Sequence, residues 1–239
     1  MSNQLTPMGQ LEYEAQRSSA LASFIALKQR RRVFLGDNIS ILFENRETVL
    51  GVLHESLRAN GSWQDHRLVE EIYEHQHLVP TSGMLSATFM LQGGNTTQGI
   101  RLCEELSEES STVLTLHLGD RTIAAKTIGA LGTMASPVQY LSFAVGNQAS
   151  ASLARPSVSA RLSIRAFGGT TEYAIPWPTR VALSAQLAEY GEISRVSPIR
   201  KAPPAAPSVR EAGFPIRLLT ALRISRRVAH ARPTIAQFG

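Results

Sequence analysis

The sequence predicts an α+β fold: a largely antiparallel sheet built from hairpins, helices packed on it, and a disordered basic tail at the C-terminus. Three observations carry that prediction. Short runs of alternating apolar residues are joined by tight turns such as Gly36-Asp37-Asn38 and Gly119-Asp120, the mark of neighbouring antiparallel strands. Between them lie stretches with apolar residues every three or four positions, the mark of helices that bury one face. The basic residues gather at one end. Residues 192–239 hold 9 of the 24 Lys and Arg but 2 of the 19 Asp and Glu and carry +7, while the preceding 191 residues hold 15 and 17 and carry −2.

The 239 residues are 43% hydrophobic, enough for one well-buried core. Residues 1–10 are expected as a flexible arm, 11–191 as a single α+β domain, and 192–239 as a Pro/Ala-rich linker and basic tail. The high pI belongs to the tail, so a basic groove across the body is not expected. Cys103 is the sole cysteine, which excludes an intramolecular disulfide and a Cys-rich metal or cluster site. No run of about 18 apolar residues occurs, and no basic start followed by an apolar stretch opens the chain. A soluble cytoplasmic protein is expected.

Taken in order, Leu11 to Gln29 reads as a helix with Ala20, Leu21, Phe24, Ile25 and Leu27 on one flank. A hairpin follows. Val33, Leu35, Ile39, Ile41 and Phe43 share a face only if the loop is the three residues Gly36 to Asn38, with Asn38 left-handed. That register sets Arg30 opposite Glu44 as a cross-strand ion pair. Asn45 caps a helix from Glu47 to Ala59, apolar at Val49, Leu53 and Leu57 and stopped by Asn60-Gly61. Gly51 inside it costs about 1 kcal/mol against Ala. A third helix runs from Gln64 to His75 with Leu68, Val69 and Ile72 inward. Met84 to Leu91 is a strand, Thr96 to Glu109 a helix, and Thr112–His117 with Arg121–Lys126 a hairpin. Ala130 to Ser136 is a loop. Val138–Val145 is a strand, Asn147–Ala154 a short helix, and Val158–Phe167 and Glu172–Trp177 two more strands. Pro178 opens a last helix to Tyr190. In the tail, Phe214 to Ala229 has Phe214, Leu218, Leu219 and Leu222 on one side and Arg217, Arg223 and Arg227 largely on the other.

Three stretches resemble the bacterial domain-of-unknown-function family 3501: Lys28-x-Arg30-Arg31-Arg32-Val33, then Leu42-Phe43-Glu44-Asn45-Arg46-x-Thr48-Val49, then Leu78-Val79-Pro80 followed by Leu85-Ser86-Ala87-Thr88. The resemblance covers roughly residues 11 to 190, is strong before Leu91, and beyond that rests on strand order. It implies no assigned activity. It implies company with rubrerythrin-like and iron–sulfur proteins, beside whose genes the family tends to lie. The family's Asp-His-Pro-x-Tyr-like segment falls at Ala166 to Tyr173, where Tyr173 matches and the His and Pro are missing.

The candidate site is Arg30, Arg32, Glu44, Asn45 and Arg46. Guanidinium forks at such a cluster suit an anion or carboxylate; equally, paired charges at a strand–helix junction serve folding, and that structural reading is favoured. No catalytic residue is assigned, since no nucleophile, general base or phosphate loop accompanies the cluster. Glu70, Glu71, Glu74, His75 and His77 include the Glu-x-x-His spacing of carboxylate-bridged metal sites, but no second such motif exists, and neither metal nor cofactor is expected. Gly93 to Thr97 lacks the lysine of a phosphate loop and reads as a turn with a helix cap. Cys103, beside Glu104 and Glu105, reads as inert. In the tail, Arg217, Arg223, Arg226 and Arg227 fit an anionic surface or nucleic acid. The expected function is a non-catalytic accessory or binding protein with a protein partner. The alternatives are an enzyme or redox accessory with an Arg/Glu anion pocket, or nucleic-acid binding through the tail.

Overall fold

The computed structural model describes residues 4–92, 97–108, 112–128, 136–166 and 168–196. The expected tail contacts Arg217, Arg223, Arg226 and Arg227, the Gly93–Thr96 turn and most of the Ala130–Ser136 loop lie outside them. Helix α1 (Gln10–Arg31) has no internal Gly or Pro and ends in Lys28, Arg30 and Arg31, which suit the negative end of its dipole. It runs two residues further than expected. Strands β1 (Arg32–Leu35) and β2 (Ile39–Glu44) pair with Val33 opposite Ile41 and Leu35 opposite Ile39, the register that the three-residue loop requires. The first residue of that loop, Gly36, is left-handed at φ 74°.

Helix α2 (Arg46–Asn60) starts with a capping box: the Thr48 amide donates to Asn45 Oδ1 and the Asn45 amide to Thr48 Oγ1. It ends on Gly61, left-handed at φ 62°. Then come α3 (Asp65–Gln76), β3 (Met84–Leu91), α4 (Thr97–Ser107), β4 (Leu114–Leu118), β5 (Arg121–Ala124), β6 (Lys126–Thr127), β7 (Val138–Ala144), α5 (Ala149–Leu153), β8 (Ala160–Ala166), β9 (Gly169–Ala174) and α6 (Trp177–Val196). The last helix continues six residues beyond Tyr190.

The strands form two antiparallel sheets, in the orders β1-β2-β3-β7-β6 and β5-β4-β8-β9. The chain passes from the second sheet to the first at Ala125, a buried residue between β5 and β6 whose amide donates to Leu114 O. One apolar core joins the inner faces of both sheets, Ile41, Phe43, Phe89 and Phe143 with Leu114, Leu116, Leu162 and Ile164, to α4, α5 and α6. A second apolar cluster, with Tyr13, Val49, Leu53, Leu57, Trp63, Leu78 and Val79, lies among α1, α2 and α3.

Residues 4–9 correct the expectation of a loose arm. Leu5 is buried in the second cluster; its amide donates to Gln76 Oε1 (2.7 Å) and the Met8 amide to His54 Nε2 (3.0 Å). Val69 is also corrected: Leu68 and Ile72 pack on that cluster, whereas Val69 is 66% exposed. The helix is amphipathic, but its apolar stripe is narrow and Val69 lies off it.

Glu55 ties α1 to α2. Its carboxylate accepts two bonds from Arg17 (2.9 and 2.8 Å) and one from the Tyr13 hydroxyl (2.6 Å). Burial pushes this carboxyl up, but the Arg17 and Tyr13 hydrogen bonds outweigh that and hold it below its ordinary range. Where the two helices cross, Gly51 meets Phe24: a Cβ on Gly51 would stand 2.4 Å from Phe24 Cδ2 and 2.5 Å from Cε2. Helix propensity favours alanine there by about 1 kcal/mol, yet overpacking costs about 1–3 kcal/mol. Gly51→Ala is therefore expected to lower stability in urea unfolding, and Phe24→Ala in the same chain to make the glycine replacement harmless.

Candidate functional site

Residues directly opposite on neighbouring strands share a sheet face. In the first sheet one face carries the apolar core. The other carries the row Arg32, Leu42, Thr88, Tyr140 and the row Glu44, Ser86, Ser142. This second face is polar, yet Ser40, Glu44, Ser86 and Thr88 on it are buried. Tyr140 on the same face packs against the apolar cluster of α1, α2 and α3.

Glu44, 4% exposed, is the centre of the arrangement. Its Oε1 accepts from the Thr88 hydroxyl (2.6 Å) and its Oε2 from the Thr48 hydroxyl (2.5 Å). Its backbone carbonyl accepts from Arg31 Nη2 (3.3 Å), and the Phe43 carbonyl from Arg31 Nε (2.9 Å). Arg31 also donates to Gln186 on α6. One carboxylate and one guanidinium thus bind the end of α1, the strand β2, the start of α2, the strand β3 and α6.

The remaining cations around Glu44 are held against their preference for water. Burial pushes the Lys28 ammonium down from 10.5 to about 8, with Glu44 pulling it back and Arg32 pushing it further down. Burial also lowers Arg32, again opposed by Glu44, and Arg32 Nε is buried with no hydrogen-bond partner among the described residues. The Tyr140 phenol is raised by burial and then by Glu44 and Glu74. The Glu74 carboxyl is itself raised by burial, with Glu71 and Glu70 adding to it. Lys28 Nζ sits 4.7 Å from the centre of the Phe24 ring, a cation–π contact.

The five residues singled out from the sequence take different places. Arg32 and Glu44 lie on the buried polar face. Asn45 is the helix cap, and its Nδ2 donates to Glu47 (2.6 Å). Arg46 donates to the Gln4 carbonyl (3.3 Å), tying the N-terminal segment to α2. Arg30 is exposed on α1, so the expected Arg30–Glu44 cross-strand pair is replaced. Because α1 runs through Arg31, residue 30 never enters the strand, and Arg31 turns inward instead. Lys28, Arg31 and Arg32 stand at i, i+3 and i+4; read with helical rather than strand spacing, that pattern points to them. Tyr140 had no local signal, since it meets Glu44 only through the pairing of β3 with β7.

Of the acidic and histidine residues of α3, Glu71 and His75 make folding contacts. Glu71 accepts from Ser56 (2.8 Å) and Asn60 (2.7 Å), and the His75 ring is 2.8 Å from the Glu71 carbonyl. Among the described residues no three His, Cys, Asp or Glu side chains are placed to hold a metal. Cys103 is buried, and burial, with Glu104 adding, raises its thiol. Among the described residues no helix is long and apolar enough to cross a membrane.

A family model described as protein of unknown function DUF3501 matches residues 3–187. The fold is also that of a crystal structure of a novel protein of unknown function from Burkholderia pseudomallei K96243, with a TM-score of 0.66 and 23% identity, covering 77% of this chain and 98% of that one. No curated protein matches the chain.

The depressed Lys28 ammonium has a consequence for stability. Between about 8 and 10.5 the unfolded chain binds the proton that the folded chain has released, so this lysine makes stability rise with pH across that window. Lys28→Met is expected to stabilise the protein near neutral pH by on the order of 1 kcal/mol, with the gain gone by the upper end of the window. Urea unfolding of both chains at several pH values measures it; a less stable variant near neutral pH would mean that the ammonium is a net stabilising partner of Glu44.

Proposed function

The chain belongs to the DUF3501 family of proteins of unknown function, and on that premise we propose that it is a non-catalytic accessory or binding protein that works beside redox proteins of the rubrerythrin-like or iron–sulfur kind. The observation that carries this reading is how the charged cluster is spent. Glu44 accepts from Thr48 and Thr88, and Arg31 donates to two backbone carbonyls and Gln186. These groups hold elements together, which leaves the surface to meet a partner. Val69 and Tyr73, one turn apart on α3 and each 66% exposed, form the apolar centre of such a surface. The redox company comes from the family resemblance.

A second reading, a small-ligand pocket on the polar face, draws support from the buried, unpartnered Nε of Arg32 and from Lys28 lowered to about 8 beside it. In that reading Lys28, Arg32, Glu44 and Tyr140 do the work, and Arg30 and Arg46 do not.

Titrating the full chain with a purified rubrerythrin-like protein in a calorimeter tests the first reading. A complex is expected, weakened at least about tenfold by Tyr73→Glu with no change in melting temperature; no complex with either a rubrerythrin-like or an iron–sulfur partner would reject it. Should the tail add an anionic contact, affinity for single-stranded DNA is expected to fall steeply with salt and to vanish when Arg217, Arg223, Arg226 and Arg227 are all changed to Gln; binding indifferent to salt would count against the tail.

A further inference from the structure

A cleft of about 550 Å³ opens between α4 and the β8–β9 hairpin, within the size range of small-molecule sites. α4 brings Gln98, Arg101 and Glu105 to it, residues at i, i+3 and i+7 that share one side of the helix. The buried Leu102, Cys103 and Leu106 anchor that helix to the core, so the polar side is held in place. The hairpin brings Arg165 and Thr170, direct partners across the two strands. Gly168 and Gly169 complete the described lining, and a Cβ on either would meet no described atom within 4 Å.

The two arginines give this cleft its charge. Several guanidinium groups elsewhere in the fold are tied down. Arg161, on the same face of β8 as Arg165, pairs with Glu172 at 3.2 Å; Arg17 and Arg58 pair with Glu55 and Glu14; Arg180 donates to the carbonyls of Leu153, Ser152 and Arg155. Arg101 and Arg165 make no side-chain hydrogen bond or ion pair with any described residue. Even Glu105, one turn after Arg101 on the same helix, forms no bridge with it, in keeping with the weaker order in which the cation precedes the acid. Two unneutralised forks and a single carboxylate thus face one opening.

We propose that this cleft binds a small organic oxyanion, a phosphate monoester or a carboxylate, that also carries a hydroxyl or ammonium group. Arg101 and Arg165 grip the oxyanion from the helix and the hairpin, a geometry suited to bidentate contacts. Gln98 and Thr170 add neutral donors. Glu105 accepts from the hydroxyl or ammonium and excludes ligands that are anionic at both ends. This site is built from other elements than the Glu44 cluster and the α3 surface, so it stands whether or not the partner-binding role holds.

The test uses the full chain at fixed ionic strength, titrated calorimetrically with phosphoethanolamine and, separately, with serine. The wild-type protein is expected to bind at least one of them; binding of the first identifies the oxyanion as phosphate, binding of the second as carboxylate. Arg101→Gln and Arg165→Gln should each weaken binding at least tenfold while the melting temperature without ligand stays put. Since both variants keep the basic tail, an affinity equal to wild type in both would assign the binding elsewhere and overturn the proposal, as would failure of the wild-type chain to bind either compound.

Discussion

A carboxylate taken out of water must find hydrogen-bond donors or lose its charge. Glu44 finds two threonine hydroxyls, one on the helix that follows it and one on the neighbouring strand. Much of the architecture depends on that solution. It places the start of α2 directly after β2 and seats Thr48 where it also completes the helix cap. It also lets the end of α1 approach closely enough for Arg31 to reach the β2 carbonyls and Gln186 of α6.

The first sheet consequently has two buried faces of opposite character. The inner one is apolar and shares a core with the second sheet. The outer one is polar, and the helices that cover it supply a cation at Lys28, an acid at Glu74 and an apolar cluster beside both. Polar groups in such a layer are costly unless satisfied. Arg32 Nε, without a partner among the described residues, belongs to a guanidinium that the nearby Glu44 charge helps to keep protonated. The segments that carry the family resemblance, around Arg31, Glu44, Thr48 and Thr88, converge on this one residue, Thr48 and Thr88 at its carboxylate and Arg31 at its backbone carbonyl. In this chain their common business is joining elements.

The covering layer has its own fastening. Glu55, gripped by Arg17 and Tyr13, joins α1 to α2. The stacked rings of Tyr13 and His54, 4.7 Å apart, extend the contact to Trp63. His54 then accepts the Met8 amide, so the N-terminal segment is held by the same joint. The close approach at Gly51 belongs to this layer too, because the Phe24 ring that fills the space lies under the Lys28 ammonium.

The sequence by itself determined the local pieces. The alternation around Gly36–Asn38 narrowed the β1–β2 register, since a loop of two or four residues would mix apolar and polar faces. Asn45 and Gly61 marked the ends of α2 because caps act within a turn of chain. The α+β class followed from hairpins interleaved with helices. What only the tertiary structure decided involved partners distant in sequence. Arg30 and Arg31 look alike in a basic run, and which one is buried depends on how far α1 continues before packing on β2. Tyr140 joins the Glu44 cluster because β7 pairs with β3, Leu5 is buried because α2 and α3 offer it a cluster, and the arginine cleft exists because α4 settles against the end of β8. Each is a matter of long-range packing, which residue spacing along the chain cannot encode.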